Sequence, residues 1–200
     1  YFNVLSKRDM LYSKSNGRAT GGGQYTYMFG VYETGRLAAH NGTAWVEPSP
    51  TAKVVADEWV HLAYSFNGTT LTFYRNGLPV GAVGFSYTEK STQTVKIGGY
   101  DTTSDINGHV SDVRVWDHAR TQSEILQAMS NRLTGADSGL LGYWPLDEGS
   151  GTNVYDRTAA AGDGILIGAA WTNNAALSER ITGEMAFAVA RPFVLADLET

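Results

Sequence analysis

Oxygen-rich loops are the first chemistry this sequence offers. The stretch YDTTSDING, residues 100–108, places Asp101, Asp105 and Asn107 in one segment, and a second loop carries Asp156 and Asp163. Hard cations collect several carboxylate and carbonyl oxygens from such loops, so calcium is the metal these residues could hold. The competing use is local, because Asp and Asn in turns accept hydrogen bonds from their own backbone. Sugar recognition is the second possibility: exposed rings stack on C–H faces while polar neighbours take hydroxyls. Trp45, near an expected hairpin tip, and Tyr100, beside Asp101, are the ligand-binding candidates, with Asp101 as the polar neighbour.

Catalytic patterns are missing. A retaining glycosidase on a β-sheet would need two or three carboxylates on one strand face, in an E-x-D-x-E spacing, and no such run is present. Asp147 and Glu148 are adjacent in a turn, so their side chains diverge and a loop-holding role is expected. His40, His61, His109 and His118 stand at no metal-ligand spacing from one another, and there is no cysteine. No serine nucleophile elbow is visible. The expectation is a chain that is not an enzyme.

The elements that must position these residues read as short strands. YTYMFGVYE alternates Tyr25, Tyr27, Phe29 and Val31 with Thr26, Met28 and Gly30, and Asn41-Gly42 turns RLAAH into TAWVE. EWVHLAYSFNGTTLTFYRNGLPV, residues 58–80, is a three-strand meander: Val60, Leu62, Tyr64 and Phe66 share one face, and turns fall at Asn67-Gly68 and Asn76-Gly77. QTVKIGG adds a strand with Val95 and Ile97 on one face. In NGHVSDVRVWDHARTQSEI, Val110 is out of phase with Val113 and Val115, which predicts a β-bulge at Ser111-Asp112. Thr121 and Glu124 have capping-box spacing, which predicts a short helix near residues 121–130 with Ile125 and Met129 on one side. LLGYWPL and GILIGAAW follow as strand pieces around an acidic, glycine-rich loop.

The bulk numbers agree. The chain has 200 residues with 23 glycines, 12% aromatic and 18% charged residues, which favours strands and tight turns over a helical bundle. A net charge of −5 without a basic cluster argues against nucleic acid as a partner, and no apolar run is long enough to span a bilayer. YFNVLSKRD has none of the marks of a signal peptide, so a mature chain or an excised portion of a longer one is expected.

Three phrases resemble one family. WVHLAYSFNGTTLTFYRNGLPVG is similar to the central meander of laminin G-like, concanavalin A-like lectin/glucanase domains; INGHVSDVRVWDHARTQSEI is similar to their closing segment; and LLGYWPLDEGSGTNVYDRT resembles a phrase of the bacterial tandem members. NVLSKRD matches a further short strand. The resemblance implies an all-β, antiparallel two-sheet jelly-roll sandwich and, in many relatives, one bound calcium ion, for which Asp101, Asp105, Asn107, Asp156 and Asp163 are the candidates. It makes His61 a structural histidine and places Trp59, Trp116, Trp144 and Trp171 in the core. Relatives open with an aromatic-rich strand ahead of the VLSK phrase, where this chain begins. TAAAGDG also stands where the family loop carries S-G-N-G-x-x-G, which puts a metal site on that loop in doubt.

Two domain readings follow. Residues 1–200 form a single sandwich in which late strands from residues 139–200 complete the sheet in permuted order, with Met185 to Val189 as the source of the opening strand; alternatively, residues 1–135 are a partial domain and 139–200 begin a second repeat. The expected function is a non-catalytic binding module, recognising a glycan or a protein surface, within a larger exported bacterial protein. The alternative is a structural or assembly domain of a fibre, toxin or adhesin. Either implies neighbouring domains as partners and an extracellular or cell-surface location.

Overall fold

The computed structural model describes residues 9–15, 25–89, 94–99, 105–160, 162–172, 187–189 and 193–195. Its strands, in chain order, begin with β1 (Asp9–Ser15), β2 (Tyr25–Val31), β3 (Leu37–His40) and β4 (Trp45–Val46). The meander supplies β5 (Leu62–Phe66), β6 (Thr70–Arg75) and β7 (Leu78–Gly84), followed by β8 (Val95–Ile97), β9 (Gly108–Val110) and β10 (Val113–Trp116). After helix α1 (Gln122–Met129) come β11 (Leu140–Trp144), β12 (Asn153–Val154), β13 (Gly164–Ile165), β14 (Phe187–Val189) and β15 (Phe193–Leu195).

One layer is a sheet of eight strands in the order β12-β13-β15-β8-β1-β2-β3-β4. The other is made of shorter antiparallel pieces, β5-β6-β7 and β10-β11, with β14 on β9. The fold is therefore the expected all-β antiparallel sandwich with one short helix. Strand alternation explains the layering: Leu71 and Phe73 of β6, Val95 and Ile97 of β8, and Val31 and Leu37 of the long sheet all point inward and are buried. Trp144 of β11 closes this core; it is fully buried, and its indole N–H donates to the Gly162 carbonyl at 2.9 Å.

Local chemistry sets the joints. The β-bulge expected at Ser111-Asp112 is replaced by a break: these two residues lie between β9, which pairs with β14, and β10, which pairs with β11, with Asp112 at φ 57°, so the phase changes because the chain changes sheet partner and not because one ladder holds an extra residue. Thr121 and Glu124 form the capping box: the threonine hydroxyl accepts from the Glu124 amide at 3.3 Å, and the Glu124 carboxylate accepts from the Thr121 amide at 2.8 Å. One detail differs from the pattern. Ile125 is buried but Met129 is exposed, because the helix lies across the Asn76-Gly77 turn, where Leu126 covers Gly77 so closely that a Cβ there would meet its side chain at 2.3 Å.

The late strands join the sheets already described. Phe187 pairs with Val110 and Val189 with Gly108, while β15 sits between β13 and β8. Met185 lies outside the described residues.

Candidate ligand-binding cleft

The second layer is split. β5 is an edge of β5-β6-β7 and β10 an edge of β10-β11, and the two edges face each other across a cleft of about 500 Å³. Its lining runs without a gap from Trp59 to Phe66 and from His109 to Asp117, so the walls are the two strands themselves. This explains an anomaly in the burial pattern. A strand at the centre of a sandwich should alternate buried and exposed residues, yet all five residues of β5 and all four of β10 are half-buried, since among the described residues each strand lacks a neighbour on one side.

The floor comes from the opposite sheet and is aromatic. Tyr12 of β1 stacks on Tyr27 of β2 at 6.2 Å, Tyr27 packs on Phe29 at 5.4 Å, and Phe29 stacks on Tyr64 of β5 at 4.7 Å. Phe66 meets Phe85 edge-on at 5.5 Å, and Tyr87 leans against Tyr27 at 5.1 Å. Alternation places these rings, because Tyr27 and Phe29 share one face of β2, and Tyr64 and Phe66 one face of β5. Helix α1 forms the opposite wall through Ile125 and Ala128.

The electrostatics are those of a dry floor. Burial raises the phenol pKa of Tyr12 and Tyr64, and burial with Tyr87 nearby pushes Tyr27 up to about 12, so all three remain neutral. The Tyr64 hydroxyl donates to the Gly30 carbonyl at 3.2 Å. His61 has its pKa lowered to about 4, first by burial and then by the Arg114 cation, and its buried Nδ1 has no hydrogen-bond partner among the described residues. The acid in the wall is occupied: Asp112 holds Arg114 through both oxygens, at 2.5 and 2.6 Å, and Arg114 also reaches the Ala128 and Asn131 carbonyls at the end of α1. Burial raises the Asp112 pKa against the opposing pull of Arg114.

The residues singled out in sequence lie elsewhere. Trp45 is half-buried in β4, packed on Tyr32 at 5.1 Å and His40 at 5.0 Å, and does not line the cleft. Tyr100 and Asp101 lie outside the described residues. Asp105 is 8% exposed, whereas Asn107 is exposed and its amide donates to the buried Asp9 carboxylate at 3.0 Å. Asp156 and Asp163 come together in one loop, the Asp156 amide donating to Asp163 Oδ1 at 2.9 Å. The Asp156 carboxylate accepts from the amides of Tyr143, Thr158 and Gly162 and from the Thr158 hydroxyl. Among the described residues no three His, Asp or Glu side chains converge on a cation site. Asp147 and Glu148 hold loops, Asp147 through Arg132 and Arg157, and Glu148 through the Tyr155 amide at 2.9 Å.

Two residues read as core in the sequence are cleft residues instead. Trp59 and Trp116 are half-buried and line it; Trp59 packs on His109 at 6.2 Å, and Trp116 lies under the Arg120 guanidinium at 3.9 Å. Trp144 is core as expected.

Comparison with known proteins agrees with this architecture. Mouse pappalysin-1 is 33% identical over 81 residues, covering 38% of this chain, and the match spans only 5% of that protein. A solved structure from Bacteroides ovatus, described provisionally as a carbohydrate-binding protein, superposes over 98% of this chain and 55% of its own with a TM-score of 0.53 and 16% identity, a likeness of fold. The laminin G family model of the concanavalin A-like lectin/glucanases matches residues 2–126. A sandwich whose meander and β9-β10 join fall within that match, along with the capped start of α1, belongs to the concanavalin A-like lectin/glucanases superfamily.

Proposed function

We propose that this chain is a non-catalytic recognition domain of a longer exported protein, and that its ligand lies in the cleft between β5 and β10. The observation that carries this reading is an open, aromatic-floored groove of about 500 Å³ whose wall carboxylate is already committed to an arginine. Binding sites are typically concave and mostly apolar with a few polar groups, and this groove has that composition. Glycan is the ligand class favoured by the fold neighbour's description, and sugar rings suit the exposed edges of Trp59 and Trp116.

A glycan array probed with the wild-type chain and with Trp59→Ala tests this reading. Bound glycans should be lost in the variant and should quench the tryptophan emission of the wild type. Binding that survives both Trp59→Ala and Trp116→Ala would place the ligand elsewhere and refute the assignment of the cleft.

A further inference from the structure

Away from the cleft, the cations are not all neutralised. Among the described residues Lys14, Arg36, Arg114, Arg120, Arg132 and Arg157 each pair with a carboxylate, whereas Lys53 and Arg75 do not. Both line one open depression, together with Pro50, Thr51, Pro79 and Val80, and no carboxylate lines it. They leave an uncompensated positive spot on a chain of net charge −5.

The backbone brings these two cations together. Residues 48–54 are a strap across the side of the sandwich. The Leu37 amide donates to the Ala52 carbonyl at 2.9 Å and the Val54 amide to the Gly35 carbonyl at 2.8 Å, while the Ser49 amide donates to the Ala82 carbonyl of β7 at 3.0 Å. Ala52 and Val54 are buried, so alternation turns Thr51 and Lys53 outward. The strap approaches β7 closely enough to need glycine at position 81, where φ is 151° and a Cβ would lie 2.7 Å from the Pro50 carbonyl. Arg75 ends β6, and its Nη1 donates to the Lys53 carbonyl. The guanidinium thus rests on the backbone of the residue that carries the second charge, and its Nε–Nη2 edge has no acceptor among the described residues.

An edge of two parallel N–H donors matches the two oxygens of a carboxylate, and a neighbouring ammonium adds charge without fixing geometry. We propose that Lys53 and Arg75 form a subsite for the carboxylate of an acidic sugar, the uronate unit of a polysaccharide. Pro50 and Pro79, both exposed, offer apolar surface to the C–H face of the ring, and the Thr51 hydroxyl is placed to meet one of its hydroxyls. An extended peptide is the poorer occupant, because Ser49 and Ala82 bond to each other and so partner the main chain of β7 beside the depression. The subsite shares no lining residue with the cleft, and β7 is the opposite edge of its sheet from β5, so the proposal stands independently of the cleft reading.

The test titrates a short oligogalacturonate into the intact chain by calorimetry. Binding should be measurable and should fall about tenfold or more with the methyl ester, which keeps the sugar and loses the charge. Arg75→Lys keeps the cation and loses the fork, and should weaken binding about tenfold. Lys53→Ala should weaken it about threefold and reduce its salt dependence. Both side chains are exposed, so an unchanged melting temperature verifies that each variant folds. No binding, equal binding of the methyl ester, or equal binding by Arg75→Lys overturns the proposal. A glutamate-rich peptide or a sulfated dextran that binds as tightly, with the same loss in Arg75→Lys, overturns the uronate as its ligand. Oligogalacturonate binding that persists in Arg75→Lys and vanishes in Trp59→Ala moves the acid to the cleft, overturning this subsite while supporting the cleft reading.

Discussion

Replacing Asp156 with alanine should remove a structural hub and no metal ligand. Its Oδ1 accepts from the amides of Tyr143 and Thr158, each at 2.9 Å, and its Oδ2 accepts from the Thr158 hydroxyl at 2.9 Å and the Gly162 amide at 3.2 Å. The bonds to Tyr143 and Gly162 are buried, and Gly162 in turn supplies the carbonyl that receives the Trp144 indole. Stranding a buried amide costs about 1–3 kcal/mol, so two such amides place the loss at about 3 kcal/mol. Asp163→Ala loses only the bond from the Asp156 amide, on an exposed side chain, and should cost about 1 kcal/mol. Urea unfolding of wild type and both variants, with calcium and with chelator, reads these differences as midpoint shifts at constant slope. The expected order is the same in both media. A wild type that loses stability on chelation, with Asp156→Ala no longer sensitive to it, would mean that the loop is a cation site and that the hydrogen-bond account is wrong.

Three further outcomes follow from single residues. Burial and Arg114 hold the folded pKa of His61 at about 4, below its ordinary value near 6.5, so the folded state binds fewer protons between those limits. Stability is therefore complete above pH 6.5 and falls as pH drops towards 4, by at most about 3 kcal/mol, and His61→Gln should flatten that slope in urea titrations over this window. Gly135 sits at φ 88°, and a Cβ there would lie 1.9 Å from the Arg157 carbonyl; Gly135→Ala should cost about 2 kcal/mol or more, and an unchanged melting temperature would contradict that packing. Ser65→Ala removes the bond to the Arg120 carbonyl that ties one end of the cleft and should cost about 1 kcal/mol, with a red shift of Trp116 emission as the end loosens.

Much of the fold was legible because strand alternation, turn dipeptides and caps are local. Asn67-Gly68 and Asn76-Gly77 mark the turns of the meander, the phase break at Val110 and Val113 locates the join where the chain passes from one sheet partner to another, and Thr121 with Glu124 starts the helix. The cleft was not legible, for a physical reason. Alternation reports the two faces of a strand, and β5 has the same Val60-Leu62-Tyr64-Phe66 pattern whether its edge is covered or open. Whether an edge has a neighbour depends on a pairing distant in sequence, which no local pattern encodes. The resemblance places Trp59 and Trp116 in the core because they stand in family phrases, and only the lack of a neighbouring strand among the described residues brings them to the cleft. Trp45 was drawn the other way by its hairpin, whose tip is occupied by residues 41–44 while the ring packs back on Tyr32.

An open strand edge is ordinarily a hazard, since any passing chain can extend the sheet. Here both edges are recessed between the aromatic floor and α1, and Ser65 ties the end near Arg120. The same geometry explains why α1 needs its capping box: an eight-residue helix is short for independent stability, yet it must span from β10 to the β6-β7 turn to roof the cleft. Arg114 reinforces that roof from below, tying Asp112 of the β9-β10 join to the carbonyls at the helix C-terminus. The β9-β10 join, the arginine and the capped helix thus fix where β10 stands relative to β5, and among the described residues the width of the cleft is set by the local chemistry of that join.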